Sequence, residues 1–258
     1  METWPRITVV TPSFNQGRFI EATIKSLIEQ DYPNLEHIVI DGGSTDETVS
    51  ILERYADHFA YWQSEPDNGQ TDALIKGFAR ATGDILCWLN SDDLFEPGAL
   101  RFVGSYFRDH TSVRFLYGDS RWIDVDGRYL KPKKEHPFSQ FIWLYDHNFF
   151  PQPSCFWRRD LYEEVGGLDE RFELAMDADL FIRFAERTRP VHVRRMLSQM
   201  RLYPEQKNQR MRTKSDQEDA LIRTRVVGAE ALRMRRAKWV VAKTMRVAMK
   251  VALGAYLK

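Results

Sequence analysis

Cysteine is scarce in this 258-residue chain, which contains only Cys87 and Cys155, both within apolar runs. Two such cysteines supply neither a disulfide framework nor a cysteine-based zinc site, and they favour a reducing compartment. The sequence also lacks an uncharged apolar stretch long enough to cross a bilayer, and its first residues show no secretory signal pattern. We therefore expect a cytoplasmic protein that is soluble or lies on the inner face of a membrane.

Several common catalytic fingerprints are absent as well. Glycine-rich dinucleotide and Walker motifs do not occur, nor do His-Glu-x-x-His or Gly-x-Ser-x-Gly, which argues against most dehydrogenases, NTPases and hydrolases. The composition, 43% hydrophobic and 29% charged, is that of a globular protein and excludes disorder and collagen.

The formal net charge of zero conceals an asymmetry along the chain. Residues 207–258 contain 14 Lys and Arg against 4 Asp and Glu, a net charge of +10, so the preceding residues carry −10. We interpret this division as an acidic domain, residues 1–206, followed by a basic tail, residues 207–258.

Apolar strands alternate with amphipathic helices over residues 1–110. Strands are predicted at Ile7 to Thr11, Leu35 to Ile40, Phe59 to Ser64 and Ile85 to Leu89. Between them the sequence predicts a helix with Ile20, Ile24, Leu27 and Ile28 at helical spacing, a helix that starts at a Ser44/Glu47 capping box, and a helix over Thr71 to Ala81. This alternation predicts an α/β fold with a mostly parallel, doubly wound sheet. Residues 111–206 alternate less regularly and are expected to form a looser second half.

Polar residues follow each predicted strand, where ligands bind in open α/β sheets. They are Pro12 to Asn15, Asp41 to Ser44, Glu65 to Gly69 and Asn90 to Asp93. Any one of these loops could be an ordinary turn, because Asp, Asn, Gly and Ser are turn formers. Together they place several carboxylates at one edge of the sheet, where a divalent cation would relieve their repulsion.

The sharpest of these loops is Asn90-Ser91-Asp92-Asp93. Adjacent carboxylates at the end of a buried strand suit Mg²⁺ or Mn²⁺, whose remaining ligands are phosphate oxygens and water. Asp92 is the first candidate ligand and Asp93 the second, although Asp93 could instead cap the helix that follows near Pro97.

A further pair of carboxylates, Asp177 and Asp179, lies in the first turn of a predicted helix. Acidic residues there often only complement the helix dipole. The functional alternative is that one of them projects into the cleft as a general base.

At this point the pattern resembles the family 2 inverting glycosyltransferases, which have the GT-A fold. The resemblance extends over about residues 6–205 and is carried by nine motifs in the family's order: Thr11-Pro12-Ser13-Phe14-Asn15, Gln30-Asp31-Tyr32-Pro33-Asn34, Asp41-Gly42-Gly43-Ser44-Thr45-Asp46, Asp67-Asn68-Gly69, Ala81-Thr82-Gly83-Asp84, Leu89-Asn90-Ser91-Asp92-Asp93, Gln152-Pro153-Ser154, Gly166-Gly167-Leu168-Asp169 and Asp177-x-Asp179-Leu180. Within the family, the chain looks most like bacterial enzymes of surface-polysaccharide assembly.

The resemblance implies roles for individual positions. It assigns nucleotide-sugar binding to Thr11, Pro12, Ser13, Asn15, Asp41, Gly69, Asp72, Asn90 and Ser91, the Mn²⁺ or Mg²⁺ site to Asp92 and Asp93, and the catalytic base to Asp177 with Asp179 as the second candidate. Two positions depart from the family pattern. Asn90 replaces the first carboxylate of the Asp-x-Asp motif, and Tyr203 stands where relatives often have a His near the metal.

The implied function is metal-dependent, inverting transfer of a sugar from a nucleotide sugar, with UDP expected as the nucleotide, to a glycan or lipid-linked acceptor. Residues 1–110 would form the nucleotide-sugar half and residues 111–206 the acceptor half. The alternatives are a nucleotidyltransferase, which shares the metal carboxylate pair, and an inactive nucleotide- or carbohydrate-binding module.

The tail is expected to be helical over residues 215–257, with Lys243, Arg246 and Lys250 on one stripe of an otherwise apolar helix. Such a helix could lie in an anionic membrane surface, pair with a second subunit or fold back on the domain. The membrane surface is the first choice. Nucleic acid is not an expected partner, because the domain is acidic and the tail is apolar between its basic residues.

Overall fold

The fold is described from a computed structural model over residues 4–233 and 235–255. The strands are β1 (Ile7–Ser13), β2 (Leu35–Asp41), β3 (Tyr61–Ser64), β4 (Ile85–Trp88), β5 (Leu94–Phe95), β6 (Phe115–Ile123), β7 (Tyr129–Lys133), β8 (Cys155–Arg158) and β9 (Val191–Arg201). The helices are α1 (Gly17–Ile28), α2 (Thr48–Arg54), α3 (Gln70–Phe78), α4 (Ala99–Asp109), α5 (Gln140–Tyr145), α6 (Arg159–Glu164), α7 (Met176–Arg187), α8 (Lys207–Arg210), α9 (Arg212–Arg233) and α10 (Arg235–Ala252).

All these strands join one mixed sheet in the order β3-β2-β1-β4-β8-β6-β9-β5, with β7 paired to β6. The four strands of the first half, β1 to β4, are mutually parallel. Strand β8 joins the halves by pairing antiparallel with both β4 and β6. The mostly parallel first half and the looser second half are as predicted, and the carboxyl ends of β1 and β4 come to the same edge.

Helices cover both faces of the first half, which confirms the doubly wound arrangement. On one face, Val39 of β2 packs with apolar side chains of α1 and α2. On the other face, α3 lies so close to the sheet that a side chain on Gly77 would come within 2.4 Å of Val10. Because successive strand residues point to opposite faces, an unbroken apolar run such as Ile38 to Ile40 serves both helix layers.

The start of α2 differs from the prediction. Ser44 and Glu47 do not form a capping box, because the Ser44 hydroxyl donates to Asp41 Oδ1 (2.5 Å). Asp46 takes over the capping role: its Oδ1 accepts from the Thr48 backbone N–H at 3.0 Å. The helix therefore begins at Thr48.

The tail is helical as predicted, and it folds back on the domain, which was one of the three expected arrangements but not the first choice. Gly228 adopts φ 78° and interrupts the helical backbone within α9. Beyond it, α10 packs against α5, with Arg246 Nε 2.5 Å from Asp146 Oδ2 and Lys250 Nζ 2.7 Å from Glu135 Oε2. Leu257, the predicted end of the helix, lies outside the described residues.

Among the described helices, none is both long enough and apolar enough to span a membrane.

Candidate active site

A cleft of about 1460 Å³ opens at the carboxyl ends of the parallel strands. One wall comes from the loops after β1, β3 and β4, and the other from the start of α7 and the segment after β9. Nine of the predicted site residues line the cleft: Pro12, Ser13, Asn15, Gly69, Asn90, Ser91, Asp92, Asp93 and Asp177. The sheet therefore brings the predicted metal carboxylates and the predicted base to one cavity.

Three predicted nucleotide-sugar residues lie elsewhere. Thr11 is fully buried, with Oγ1 3.0 Å from His37 Nε2. Asp41 is also fully buried and accepts hydrogen bonds from Ser44 in the loop after β2 and from Ser64 at the end of β3. Asp72, in the first turn of α3, binds Lys76 and the Asn68 backbone N–H. These side chains shape the loops around the cleft and do not line it.

Asp179, the second candidate base, is fully buried beneath the first turn of α7. Its Oδ2 lies 2.6 Å from the Arg183 guanidinium, and its Oδ1 binds Arg225 of α9. Arg183 also donates to the carbonyl oxygens of Val165 and Gly167, at 2.8 and 2.7 Å. This arrangement gives Asp179 a structural position away from the cleft.

Asp92 faces the cleft and has two polar partners from the segment after β9. The Tyr203 hydroxyl donates to Asp92 Oδ2 at 2.9 Å, and Gln206 Nε2 lies 3.4 Å from the same oxygen. Burial and the neighbouring Asp92 raise the pKa of the Tyr203 hydroxyl, so it remains a proton donor at neutral pH. Tyr203 thus contacts the predicted metal carboxylate directly.

Asp93 is oriented differently from Asp92. Its side chain is buried, and Oδ1 accepts from the Arg201 backbone N–H at 2.9 Å, which ties the loop after β4 to the end of β9. Burial, together with the charge of Asp92, raises the pKa of Asp93 well above its usual range. Because Asp93 is buried and its Oδ1 already accepts the Arg201 N–H, Asp92, which faces the cleft, is the better candidate of the two for a metal ion.

The remainder of this loop is fixed by neutral hydrogen bonds. Asn90 Oδ1 accepts from Gln70 Nε2 (2.8 Å), and Asn90 Nδ2 donates to Gln152 Oε1 (3.1 Å). On the other side, the Thr23 hydroxyl lies 2.9 Å from the backbone oxygens of both Ser91 and Asp93. Asn90 therefore acts as a hydrogen-bonding hub that holds the loop presenting Asp92.

A carboxylate outside the predicted set, Asp67, also lines the cleft. Burial raises its pKa, although the Gly69 backbone N–H donates to its Oδ1 at 2.8 Å. Its place in the Asp67-Asn68-Gly69 motif was the available sequence signal.

Asp177 is partly exposed on the cleft wall at the start of α7. Desolvation by the surrounding protein raises its pKa to about 6, against the lowering effect of backbone N–H groups in the first turn. Asn148 Nδ2 lies 3.4 Å from Asp177 Oδ2. A carboxylate in this range is deprotonated at neutral pH yet more basic than an exposed aspartate, as a general base requires.

The loop that leads into α7 is held by a residue that sequence analysis placed in the tail. Glu218 of α9 is buried, and its carboxylate accepts from the backbone N–H groups of Glu173, Leu174 and Ala175 at 3.1, 2.8 and 2.9 Å. These bonds fix the backbone immediately before Asp177. The tail boundary at residue 207 therefore separates segments that act together at the site.

We expect Glu218→Ala to destabilise the protein by roughly 3 kcal/mol, because three buried backbone donors lose a charged acceptor. Thermal unfolding would measure this loss, with Asp216→Ala, an exposed acidic residue of the same helix, as the matched control. Equal melting temperatures for the two variants would contradict the anchoring role of Glu218.

The cleft also contains basic side chains. Arg201 donates to the backbone oxygens of Asp92, Asp124 and Val125 at 2.9 Å each, and Lys207 pairs with Glu173 at 2.9 Å. Arg18 and Arg210 line the same cleft, and within residues 4–233 and 235–255 the structure gives neither of them a carboxylate partner. These two guanidinium groups are available to an anionic ligand.

No cluster of three or more His, Cys, Asp or Glu side chains with metal-binding geometry occurs among the residues that the structure describes. The cleft thus offers one well-placed carboxylate, Asp92. A magnesium-type ion is commonly held by one or two carboxylates together with substrate phosphates and water, so Asp92 fits such an ion when it arrives with a diphosphate.

The chain belongs to glycosyl transferase family 2, whose model matches residues 8–166. It is 35% identical over 201 residues to an uncharacterized glycosyltransferase of Mycobacterium tuberculosis, covering 76% of this chain and 75% of the relative. It is also 28% identical to a PGL/p-HBAD biosynthesis glycosyltransferase of Mycobacterium bovis, covering 69% of each chain. The protein is therefore a glycosyltransferase, as predicted.

Solved structures share the fold. A mannosyltransferase from Pyrobaculum calidifontis, in complex with GDP-Man and Mn²⁺, matches with a TM-score of 0.67 and 21% identity, covering 98% of this chain and 76% of that one. Residues 1-349 of TarS from S. aureus, in complex with UDP-GlcNAc, match with a TM-score of 0.64 and 18% identity, covering 92% and 79%. These likenesses confirm the predicted GT-A fold.

Proposed function

We propose that the protein transfers a sugar from a nucleotide diphosphate sugar to an acceptor hydroxyl, with inversion at the anomeric carbon and with help from Mn²⁺ or Mg²⁺. The observation that carries this proposal is that Asp92 and Asp177 line one cleft, with distinct environments. Asp92 would hold a metal-bound diphosphate, and Asp177, whose pKa is raised to about 6, would act as the base.

The donor would occupy the wall formed by the loops after the parallel strands. Pro12, Ser13, Asn15 and Gly69 would contact the nucleoside, and Asp67, which lines the cleft, would take the place of the buried Asp41 as the carboxylate near the base or ribose. The diphosphate would lie near Asp92, where Arg18 and Arg210 can contribute positive charge. We favour a UDP-sugar, since the solved neighbours include complexes with UDP and with UDP-GlcNAc, while the GDP-Man complex keeps GDP as the second choice.

The divalent ion would be held by Asp92 and by the donor's phosphate oxygens, and it would supply charge stabilisation to the departing nucleoside diphosphate. Asp93 and Asn90 would keep the loop that carries Asp92 in place. Asp177 would accept the proton of the attacking hydroxyl as the new glycosidic bond forms on the face opposite the leaving group. One displacement of this kind inverts the configuration and leaves no covalent intermediate.

The acceptor would approach from the second half, where Asp177 and residues 200–211 border the cleft. We propose a glycan or lipid-linked acceptor in the biosynthesis of a surface polysaccharide or glycolipid. A relative named for PGL/p-HBAD biosynthesis supports this class. A lipid-linked acceptor would require the enzyme to work peripherally at the inner face of the cell membrane.

The test is incubation of the purified protein and Mn²⁺ with a panel of nucleotide sugars, followed by measurement of nucleoside diphosphate release. We expect release from one donor class, loss of release with EDTA, and a product of inverted anomeric configuration by NMR. Retention of configuration, or undiminished turnover in EDTA, would contradict the mechanism.

The raised pKa of Asp177 predicts an acid limb in the pH profile. Since the base must be deprotonated and its pKa is about 6, kcat/KM should be constant above that value and fall about tenfold per pH unit below it. The measurement is kcat/KM against pH with metal and donor held saturating. A profile that stays flat to about pH 4 would show an ordinary aspartate or no carboxylate base at all.

A further inference from the structure

The outer face of α10 is apolar, and two of its basic residues, Arg246 and Lys250, lie on the inner face. Arg246 and Lys250 point toward the domain, where each is largely buried against Asp146 and Glu135. Lys238 lies over the Tyr145 ring and donates to its hydroxyl at 3.0 Å. A helix whose basic stripe contacted solvent would have Arg246 and Lys250 turned away from the domain, which is the opposite of what the structure shows.

The outward side chains follow the spacing of one helix face. Val240, Val247 and Val251 are separated by seven and four residues, and they are 56, 39 and 62% exposed. Val241 and Met245 flank them, and Thr244 and Ala248 complete the face without adding charge. We call this set of side chains the outer face of α10.

Exposed aliphatic side chains in such a contiguous row mark an interaction surface. A helix of 18 residues is about 27 Å long and about 10 Å wide, so its face covers roughly 300 Å². A stable protein dimer needs about 800 Å² per partner, which this face alone does not supply. A bilayer sets no such minimum, because the apolar side chains of a single helix can enter the boundary between headgroups and acyl chains.

The rim of the face also suits a bilayer. Trp239 is 41% exposed, and the Lys243 ammonium lies 4.6 Å from the centre of its ring. Tryptophan and lysine are the residues that favour the headgroup level, the first for its amphipathic ring and the second for its long, charged side chain.

We propose that the outer face of α10 inserts into the surface of a phospholipid bilayer, while the ion pairs to Asp146 and Glu135 hold the helix on the enzyme. Insertion is driven by apolar side chains, so salt should weaken it little, unlike attachment through a basic stripe. The attachment would bring the enzyme close to a lipid-linked acceptor, and that benefit rests on the proposed function. The attachment itself does not depend on the proposed function.

The test is flotation of the full-length protein with vesicles of phosphatidylcholine and phosphatidylglycerol at low and high salt. We expect the wild-type protein to float at both salt levels, and Val247→Asp/Val251→Asp to reduce binding at least about tenfold. Leu130→Asp/Leu221→Asp, which places the same two charges on exposed leucines of β7 and α9, is the matched control and should float normally. Because all four positions are exposed, circular dichroism should show unchanged folding.

A second measurement locates the contact. Brominated lipids should quench part of the tryptophan fluorescence, and Trp239→Phe should remove that part. The proposal is overturned if the double aspartate variant floats like wild type. It is also overturned if the wild-type protein does not float, and a dimer that the double variant converts to a monomer would then assign the face to a subunit interface. Both outcomes are independent of sugar transfer, so neither one tests the proposed catalytic function.

Discussion

Asp177→Asn should lower kcat at least about a hundredfold while leaving donor binding unchanged. The substitution keeps the size of the side chain and removes its basicity, and the side chain lies on the cleft wall where a proton acceptor is needed. The pKa of Asp177 is raised to about 6 because burial disfavours the charged carboxylate. The neutral amide of Asn bears no such cost, so the variant should be at least as stable as wild type. Steady-state kinetics and calorimetric titration with UDP would separate the two effects.

The matched control is Asp179→Asn, two residues further along the same helix. That change leaves Arg183 and Arg225 without their buried carboxylate, so it should lower the free energy of unfolding by about 3 kcal/mol or more. Activity per folded molecule should stay within about tenfold of wild type, since Asp179 does not line the cleft. If Asp179→Asn were the inactive variant and Asp177→Asn turned over normally, the base would be assigned to the wrong residue.

The sequence predicted the elements of the first half and the position of the cleft because apolar strands and the polar loops after them are local patterns. It could not tell which strand-end carboxylates point into the cleft. Asp41 ends β2 and Asp67 follows β3, yet two serine hydroxyls enclose Asp41 while Asp67 lines the cavity. Those hydroxyls come from Ser44 in the loop after β2 and from Ser64 at the end of β3, so the difference is a property of the assembled sheet.

The sequence also could not show which surface the basic stripe of the tail contacts, because that too depends on residues far apart in the chain. The spacing of Lys243, Arg246 and Lys250 defines a stripe but not what the stripe contacts. The partners Asp146 and Glu135 are 100 and 115 positions away from Arg246 and Lys250, in a region with irregular patterning. The opposite charges of domain and tail were nevertheless informative, because tail cations also bind Asp179 and Glu173. Charge complementarity within the chain explains the asymmetry better than an external anion.

Glu218 and Tyr203 make two further contacts at the active site that the sequence did not predict. Both lie outside the predicted set of site residues, yet Glu218 anchors the backbone before Asp177 and Tyr203 donates to Asp92. Each contact joins residues more than 40 positions apart. The sequence marked Tyr203 only as a departure from the family's His near the metal, and Glu218 belongs to none of the motifs. The segment after β9 therefore completes the site by folding over the strand-end loops. Those loops are the part of the site that the sequence identifies from local patterns.

Asp92→Ala should abolish metal-dependent binding of the donor nucleotide. Asp92 is the carboxylate best placed for the ion. Since even residues that only orient metal ligands contribute about tenfold to a hundredfold to metal affinity, we expect the affinity for UDP in Mn²⁺ to fall at least about a hundredfold. Calorimetric titration of UDP with Mn²⁺ and with EDTA gives the measurement. Asp93→Asn is the matched comparison, and it should keep most of the metal dependence because that carboxyl already accepts the Arg201 N–H.

Tyr203→Phe should have the opposite effect on the same titration. The Tyr203 hydroxyl donates to Asp92 Oδ2, so it competes for that oxygen with a bound ion. The aromatic ring packs on Phe19, with 5.0 Å between the ring centres, and the variant keeps this contact. Loss of one hydrogen bond to a charged group corresponds to about 1.5 kcal/mol, so Mn²⁺ should bind about tenfold more tightly in the presence of UDP. Weaker Mn²⁺ binding in Tyr203→Phe would instead show that the hydroxyl helps to hold the ion, since removing a competitor can only strengthen the binding that it opposed.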